Sequence, residues 1–311
     1  MLVQANRFWA CPQDGHFPLT LRADLWQEQE IWEGSCICPR CGAGYPIHAG
    51  LPDFLSRNGV KHSAAAPAEA AVRTAEDIQD EERGERNRVL MQPRTRRQMY
   101  EEKLEQTAVL RWLRPRRGES VLDAGCGVGR LTRRLLRRRC AVVGLDFAAA
   151  RLHYLAASTR RAALVTGDLT RPPLREMCFD KIACLQVLEH LPTAEMRLQL
   201  LERLRDLLRP GGRVVLTVYH DGRANARAGR EREGRHESGI FYHCYGRDEL
   251  REQMHGFTRL RIAGLSWHRP GAYSLLPMLG PLGRRLDRLG SRLPDGLEWS
   301  QLLIARGQRP K

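Results

Sequence analysis

From about residue 91 onward, short apolar runs alternate with longer amphipathic stretches. Runs typical of strands occur at seven places: 121–124, 141–146, 163–168, 181–187, 213–218, 259–265 and 301–306. Between them apolar residues recur at helical spacing, most clearly in 196–208, where leucines three and four residues apart form one face. Strands that alternate with helices favour a parallel sheet with helices on both faces. We therefore predict an α/β domain with a doubly wound, seven-stranded, mostly parallel sheet.

The first 90 residues follow a different pattern. Residues 1–57 are rich in Cys, Trp, Gly and Pro, and their short apolar alternations at 17–22 and 30–33 predict small strands. Residues 58–90 contain few large apolar groups and show no clear periodicity, as in a linker. A module this short is close to the size at which a core needs a staple. We expect a small α+β module at 1–57, a flexible linker at 58–90 and the large domain at 91–311.

Composition adds a question about the partner and an expectation about the compartment. The formal net charge is +15, which suits a polyanion such as RNA, but only four of the 51 basic residues are lysines, so genome composition is an equal explanation. The nine cysteines are odd in number and unevenly spread, unlike a disulfide framework. Neither a signal peptide nor a run of about 18 apolar residues is visible, and no obligate protein partner is evident. We expect a reduced, cytoplasmic protein without a transmembrane segment.

The glycine-rich sequence D-A-G-C-G-V-G at 123–129 follows one of the apolar runs and precedes an amphipathic stretch. Its three glycines let the backbone turn sharply and approach a ligand closely. The helix N-terminus behind them offers free N–H groups to an anionic group. The dinucleotide pattern G-x-G-x-x-G would need a glycine at position 130, where this chain has Arg130. The loop therefore predicts a ligand site that departs from the dinucleotide type.

Two carboxylates follow at the ends of the next predicted strands. Asp146 can accept hydrogen bonds from both hydroxyls of a ribose, and Asp168 can receive the exocyclic amine of an adenine. Together with the glycine-rich loop, the segments G-L-D (144–146), G-D-L (167–169), L-E-H-L (188–191) and L-R-P-G-G-R-V-V-L (208–216) stand in order along the chain. In this order they resemble the successive motifs of class I S-adenosylmethionine-dependent methyltransferases, over about 95–311.

The resemblance implies a Rossmann-like fold with S-adenosylmethionine as the cofactor. By that resemblance Gly125, Gly127 and the neighbouring backbone hold its methionine part. Asp146 binds the ribose, Asp168 with Leu169 contacts the adenine, and Gln186 lies near the sulfonium. The complete set of expected cofactor-binding residues is Asp123, Gly125, Cys126, Gly127, Gly129, Asp146, Phe147, Asp168, Leu169 and Gln186.

Methyl transfer from a sulfonium is a direct displacement that depends mainly on alignment, so the chemistry requires no catalytic residue. A general base helps only where the acceptor carries a proton of high pKa. Side chains that suit this role follow the predicted fourth and fifth strands: His190, Tyr219, His220, Tyr242 and His243. A hydrogen-bonded structural histidine is the competing interpretation of His190, and a packed aromatic cluster that of Tyr242 and His243.

Two absences narrow the acceptor. The fourth strand ends in C-L-Q-V rather than the Asn-Pro-Pro-Tyr type of tetrapeptide of base-amino methyltransferases, which disfavours methylation of the exocyclic amines of nucleobases. No Pro-Cys or Thr-Cys dipeptide of the 5-methylcytosine type occurs, which disfavours covalent attack on a pyrimidine. We favour a small molecule, lipid or natural product as the acceptor, because the apolar segment 270–295 could form a lid over a pocket or, being basic and amphipathic, touch a membrane. The alternative is tRNA or another RNA, because 236–250 resembles a segment of wobble-uridine carboxymethyl-ester methyltransferases.

A cysteine pair near the N-terminus predicts a zinc site. The sequence C-P-R-C at 38–41 has the spacing of a zinc knuckle, and Cys11 is a third ligand. Position 14, where a second C-P-x-C would place its cysteine, holds Asp14, which can bind zinc through oxygen; His16 and Cys36 are the other candidates for the fourth ligand. We expect Cys11, Asp14, Cys38 and Cys41 as the ligand set, with a metal-free knob as the alternative.

The segment from this knuckle to residue 55, C-P-R-C-G-A-G-Y-P-I-H-A-G-L-P-D-F-L, resembles the end of the small zinc-binding activator subunit of tRNA and protein methyltransferases. That family supports its methyltransferases by covering apolar surface and an exposed strand edge. The resemblance, over about 5–57, implies a zinc-ribbon-like module that does the same within one chain. An inert or substrate-recruiting appendage is the competing interpretation.

Overall fold

The computed structural model describes residues 3–56, 95–237, 239–270, 275–293 and 295–311. Among the described residues, the N-terminal module consists of a 3-10 helix at Val3–Phe8 and an antiparallel four-stranded sheet. Its strands are β1 (Thr20–Gln27), β2 (Glu30–Ile37), β3 (Gly44–His48) and β4 (Leu51–Pro52), in that spatial order. The predicted linker at 58–90 lies outside the described residues.

The large domain is built on the seven-stranded sheet that the pattern predicts. Its strands have the spatial order β12-β13-β9-β8-β5-β6-β7. They are β5 (Ser120–Ala124), β6 (Ala141–Asp146), β7 (Ala163–Thr166), β8 (Phe179–Leu185), β9 (Leu208–Tyr219), β12 (Thr258–Trp267) and β13 (Ser300–Gln308). Strands β5 to β9 pair in parallel, and β13 runs antiparallel to both of its neighbours. The prediction of a mostly parallel sheet is confirmed.

Helices and a small hairpin complete the domain. The helices are α1 (Arg96–Leu113), α2 (Thr132–Arg137), α3 (Ala149–Ser158), α4 (Ala194–Leu207), α5 (Arg223–Arg227), α6 (Arg247–Gln253) and α7 (Gly280–Gly290). Strands β10 (Glu233–Arg235) and β11 (Phe241–His243) form a separate antiparallel pair. Thr95 caps the start of helix α1, because its side chain and that of Gln98 satisfy each other's backbone N–H groups in a capping box. None of the described helices has the length and apolar character needed to span a membrane.

The N-terminal module packs on the β7 edge of the large sheet. Asp53 forms a parallel bridge with Thr166, and the Phe54 N–H donates to the Thr166 carbonyl at 3.0 Å. The start of the module contributes a stacked contact between the Phe8 and Phe179 rings, with centroids 5.6 Å apart. Buried residues of both parts form one continuous apolar cluster. The module thereby covers an edge strand that would otherwise present unpaired backbone groups.

Candidate functional site

A cavity of about 500 Å³ lies at the carboxyl ends of the parallel strands. This is the edge at which open α/β sheets hold their ligands, and the volume is typical of a small-molecule site. The cavity wall contains eight of the ten residues that the sequence predicts for the cofactor: Gly125, Cys126, Gly127, Asp146, Phe147, Asp168, Leu169 and Gln186. The geometry thus brings together side chains from the ends of β6, β7 and β8 and the loop after β5.

The loop after β5 has the backbone shape that its glycines favour. Gly125 and Gly127 have φ of +73° and +51°, in the left-handed region that favours glycine. Asp146 fixes the loop, because its carboxylate accepts the Gly127 N–H at 2.7 Å and the Ala148 N–H at 3.0 Å. A Cβ atom at position 127 would lie 2.9 Å from the guanidinium of Arg151. The loop is therefore held in a narrow concave form against the carboxylate of Asp146.

Asp123 and Gly129 lie behind the loop and do not line the cavity. The Asp123 carboxylate accepts a hydrogen bond from the Thr132 hydroxyl at 2.6 Å, and burial raises its pKa to about 6. A Cβ atom at Gly129 would lie 2.2 Å from the side chain of Leu155. Both residues support the shape of the loop through contacts on its inner side.

Gln186 is held by a buried carboxyl from α1. Its amide group donates to both oxygens of Glu105, at 3.0 and 2.9 Å, and the Thr217 hydroxyl donates to one of them at 2.6 Å. Burial raises the pKa of Glu105, and the two hydrogen bonds oppose that effect. Gln186 itself has φ of +51°, an unusual value for a residue with a side chain. The network joins α1 to the ends of β8 and β9 and fixes the middle of the cavity wall.

Aromatic side chains line the other part of the cavity. His190 and Tyr219, two of the predicted catalytic candidates, both lie in its wall, with ring centroids 5.9 Å apart. Tyr242, another of the predicted candidates, packs beside them, with its ring centroid 6.4 Å from that of Tyr219. The Nδ1 atom of His190 lies 2.8 Å from the carbonyl oxygen of Phe241. Because a carbonyl only accepts, Nδ1 carries the hydrogen, and in the neutral ring the lone pair is on Nε2.

The remaining two candidates lie elsewhere. His220 is buried, and its Nδ1 atom lies 3.0 Å from the Ser300 carbonyl oxygen. Burial lowers the pKa of His220, so it is a neutral structural histidine. His243 lies between the carboxylates of Glu233 and Glu249, at 2.6 and 2.7 Å. Neither side chain lines the cavity, whereas those of His190 and Tyr219 do.

Three further cavity residues were not singled out from the sequence. The guanidinium of Arg230 lies 4.5 Å from the Tyr219 ring centroid and 5.3 Å from that of Tyr242, and its buried Nη1 has no hydrogen-bond partner among the described residues. His236 packs on Tyr242 at 4.9 Å across the β10–β11 pair. The sequence offers a sign of Glu105, because this residue is a carboxyl on the apolar face of a predicted helix. Arg230 and His236 lie in a polar stretch that resembles any surface loop.

The predicted metal ligands come together in the N-terminal module. One ligand atom from each of Cys11, Asp14, Cys38 and Cys41 lies within 4.8 Å of the others. The Cys11 and Cys41 sulfurs are 3.7 Å apart, close to the roughly 3.8 Å edge of a tetrahedron with zinc–sulfur bonds of about 2.3 Å. Cys36 is buried outside this cluster. The donor set of three thiols and one carboxylate fits a closed structural zinc site.

Comparison with known proteins agrees with this geometry. A family described as "Methyltransferase domain" matches residues 122–216. The ubiquinone biosynthesis O-methyltransferase of Pseudomonas paraeruginosa is 33% identical over 111 residues, which cover 33% of this chain and 45% of that protein. The chain therefore matches less than half the length of this relative.

Solved structures extend the likeness in fold. The 1,6-didemethyltoxoflavin-N1-methyltransferase of Burkholderia thailandensis has a TM-score of 0.51 at 18% identity, covering 88% of this chain and 98% of that one. A complex of the Trm112 methyltransferase activator and a methyltransferase from Haloferax volcanii gives a TM-score of 0.50 at 18% identity, covering 70% of this chain and 94% of that one. Together, the family match shows a methyltransferase domain at residues 122–216, and the seven-stranded order and the solved structures show the fold of class I S-adenosylmethionine-dependent methyltransferases.

Proposed function

We propose that the protein transfers a methyl group from S-adenosylmethionine to a hydroxyl group of a small, hydroxylated aromatic molecule. The observation that carries this proposal is one continuous cavity with the glycine-rich loop and Asp146 in one part of its wall and His190 in another. The relative named for ubiquinone biosynthesis, an O-methyltransferase, supports the same class of acceptor. The volume of about 500 Å³ suits a small molecule.

The cofactor part of the cavity suits S-adenosylmethionine, which when bound supplies a methyl group on a sulfonium. Asp146 and Asp168 stand at the ends of adjacent strands, where carboxylates can bind a ribose and an adenine amine. The loop at Gly125 and Gly127 leaves its backbone open to close approach. Gln186, fixed by Glu105, holds the wall between the two parts of the cavity.

His190 acts on the acceptor hydroxyl. Its Nε2 lone pair receives the proton from the hydroxyl while the Nδ1 hydrogen stays bonded to the Phe241 carbonyl, which keeps the ring oriented. Arg230 lies against the ring of Tyr219, and its positive charge stabilises the negative charge that develops on the acceptor oxygen. Tyr219 and His236 offer ring faces and edges to a flat acceptor, and Tyr242 packs against both of them.

The N-terminal module supports the methyltransferase domain within the same chain. It adds backbone pairing to the β7 edge at Thr166, one residue before the Gly167-Asp168 segment of the cavity wall. Zinc at Cys11, Asp14, Cys38 and Cys41 would stabilise the module by joining the stretch at 11–14 to the stretch at 38–41. A solved neighbour whose description joins an activator to a methyltransferase supports this interpretation. Metal analysis should find close to one zinc per chain. A protein that contains no zinc after gentle purification would contradict the proposed zinc site.

Transfer of a labelled methyl group from S-adenosylmethionine into a fractionated cell extract tests the proposed reaction. We expect label in the small-molecule or lipid fraction, in a product whose methyl group is on oxygen. Label in the RNA fraction would replace the proposed acceptor with the alternative, tRNA or another RNA. Absence of label from every fraction, by a protein that binds the cofactor, would contradict the proposed activity.

Calorimetry tests the cofactor site separately. Asp146→Ala removes the carboxylate that both orders the loop and faces the cavity, so cofactor affinity should fall by about tenfold or more. Asp180→Ala is a matched control, because Asp180 bonds the Ser120 N–H and Arg209 away from the cavity. Unchanged affinity of Asp146→Ala would show that the cofactor is held elsewhere.

A further inference from the structure

The segment 275–293 carries a stripe of leucines that faces solvent. They recur at spacings of four and three residues on either side of and within α7: Leu275, Leu279, Leu282, Leu286, Leu289 and Leu293. Their exposed fractions are 58, 45, 53, 39, 58 and 46%, and Met278 beside them is 82% exposed. Within α7, at about 100° per residue, Leu282, Leu286 and Leu289 lie within about 60° of one another on one face, and Leu275, Leu279 and Leu293 lie just outside the two ends of the helix. The stripe is thus apolar and only partly covered by the described part of the chain.

A helix that packs on a domain core would be expected to turn its leucines inward. Here the inward face consists of Gly283, Asp287 and Gly290, all buried. A Cβ atom at Gly290 would lie 2.3 Å from the Trp267 ring, and the backbone N–H of Trp267 donates to the Asp287 carboxylate at 3.2 Å. These close contacts anchor the helix by its small residues. The leucine stripe is therefore held outward by the packing, and it does not line the cavity as a lid would.

Positive charge lies beside the stripe. Arg285 is exposed on α7, and Arg292 is exposed two residues beyond the end of the helix. Asp287 is the only acidic residue in 275–293, and it is buried. The basic surface continues onto α2, because burial and the neighbouring Arg137, Arg138 and Arg284 lower the pKa of Arg134. The exposed charged residues of the segment 275–293 itself are thus all positive.

We infer that the α7 segment docks on the surface of an anionic lipid bilayer, with its leucines among the acyl chains and Arg285 and Arg292 at the headgroups. An apolar stripe flanked by arginines is the pattern of a helix that lies in the membrane interface. Pairing with a second copy fits less well, because it would bring two sets of arginines together with no exposed carboxylate in the segment to offset them. This inference does not depend on the identity of the acceptor.

The position of the segment gives docking a use. Leu265 and Ser266 line the cavity, and the next residue, Trp267, is the one on which α7 packs. A bilayer in contact with the leucine stripe would therefore lie close to the wall of the cavity. An acceptor that partitions into lipid could then pass to the cavity over a short distance.

Co-sedimentation of the full chain with lipid vesicles tests the inference. We expect about tenfold more binding to vesicles that contain phosphatidylglycerol than to phosphatidylcholine alone. The triple variant Leu282→Gln, Leu286→Gln, Leu289→Gln should lose about tenfold or more of this binding. The double variant Arg285→Gln, Arg292→Gln should retain residual binding but lose the preference for anionic lipid.

Leu198→Gln is the matched control, because Leu198 is an exposed leucine on α4, outside the segment, and this variant should bind vesicles as the parent does. All exposed-face variants should keep the parent's circular dichroism spectrum and cofactor affinity. The inference is overturned if the parent does not bind phosphatidylglycerol vesicles, or if the leucine variant binds them equally well. A dimer that the leucine variant abolishes, in a chain that ignores vesicles, would assign the stripe to a second copy instead.

Discussion

His190 is held by one hydrogen bond that decides which of its nitrogens can accept a proton. With Nδ1 bonded to the Phe241 carbonyl, Nε2 is the basic atom, and the ring lies in the cavity wall beside Tyr219. We expect His190→Gln to lower kcat about 100-fold or more, because general-base assistance contributes about that much. Cofactor affinity should stay within about twofold of the parent, since we propose that this side chain contacts the acceptor and not the cofactor.

The pH profile separates a base from a positioning residue. With His190 as the base, the acidic limb of the kcat/KM profile of the parent should be lost in His190→Gln. Tyr219→Phe serves as the comparison, because it keeps the ring beside His190 and removes only the hydroxyl, so the acidic limb should remain. A His190→Gln enzyme that retains the acidic limb would assign the proton to another group or to solvent.

Asp287 gives a separate prediction about stability and pH. Burial raises its pKa from an ordinary 3.8 to about 7, although a hydrogen bond from the backbone N–H of Trp267 to its carboxyl opposes that effect. A carboxyl with a raised pKa favours folding while protonated, so its contribution is complete below about pH 4 and is lost as pH rises through about 7. Asp287→Asn cannot ionise and keeps an acceptor oxygen for Trp267.

Urea unfolding at about pH 4.5 and about pH 8.5 checks this sign. Relative to the parent, Asp287→Asn should gain stability on going from the lower to the higher pH, with an upper limit of about 4 kcal/mol at about 1.4 kcal/mol per pKa unit. The exposed Asp248 provides the control, Asp248→Asn, which should show no comparable change. A pH-independent difference between Asp287→Asn and the parent would contradict a raised pKa.

At the scale of elements, the strands were predictable because each is an apolar run with turn residues at its ends. The run at 141–146 is the strand β6 in full, and that at 121–124 differs from β5 by one residue. The orientation of α7 was not predictable, because the same leucine pattern suits a buried face, a lid and an outward stripe. The contact of Gly290 with the Trp267 ring and that of Gly283 with the Leu276 backbone decide between them.

The N-terminal module and the large domain share a core, and this has a measurable consequence. Phe8 is 6% exposed and stacks on Phe179, which is itself fully buried in the large domain. Phe8→Ala should destabilise the whole chain by about 3–5 kcal/mol, as other buried Phe→Ala changes do. Trp26→Ala in the same module removes a side chain that is 56% exposed and should have little effect.

Thermal unfolding followed by circular dichroism and by cofactor binding distinguishes the two interpretations of the module. If the module supports the domain, Phe8→Ala should lower the midpoint seen by both probes equally, in a single transition. An inert appendage would unfold in a transition of its own, and the cofactor-binding midpoint would then stay at the parent value.

For the molecule as a whole, the site was predictable only where ligand residues follow a spaced motif. The loop at 123–129 and Asp146 could be placed because strand order puts them at one sheet edge. The four candidate metal ligands are less regular, yet Cys11 and Asp14 were found from their relation to the 38–41 knuckle. Arg230 could not be found, since its role depends on a loop returning over Tyr219, which no local pattern encodes.

The net charge of +15 leads to the last prediction. Several arginines are engaged within the fold, among them Arg209 with Asp180 and Arg232 with Glu249. The cavity wall itself is mixed in sign, since Glu101, Glu102 and Glu105 face it together with Arg130 and Arg230. We therefore expect bulk tRNA to bind weakly through unspecific phosphate contacts, with an affinity that falls steeply as salt rises, and to receive no methyl group. Filter binding over a salt series, with labelled methyl transfer measured in parallel, checks both parts. Methylated tRNA, or tight binding that persists at high salt, would show that the charge serves an RNA acceptor and would displace the small hydroxylated molecule as the substrate.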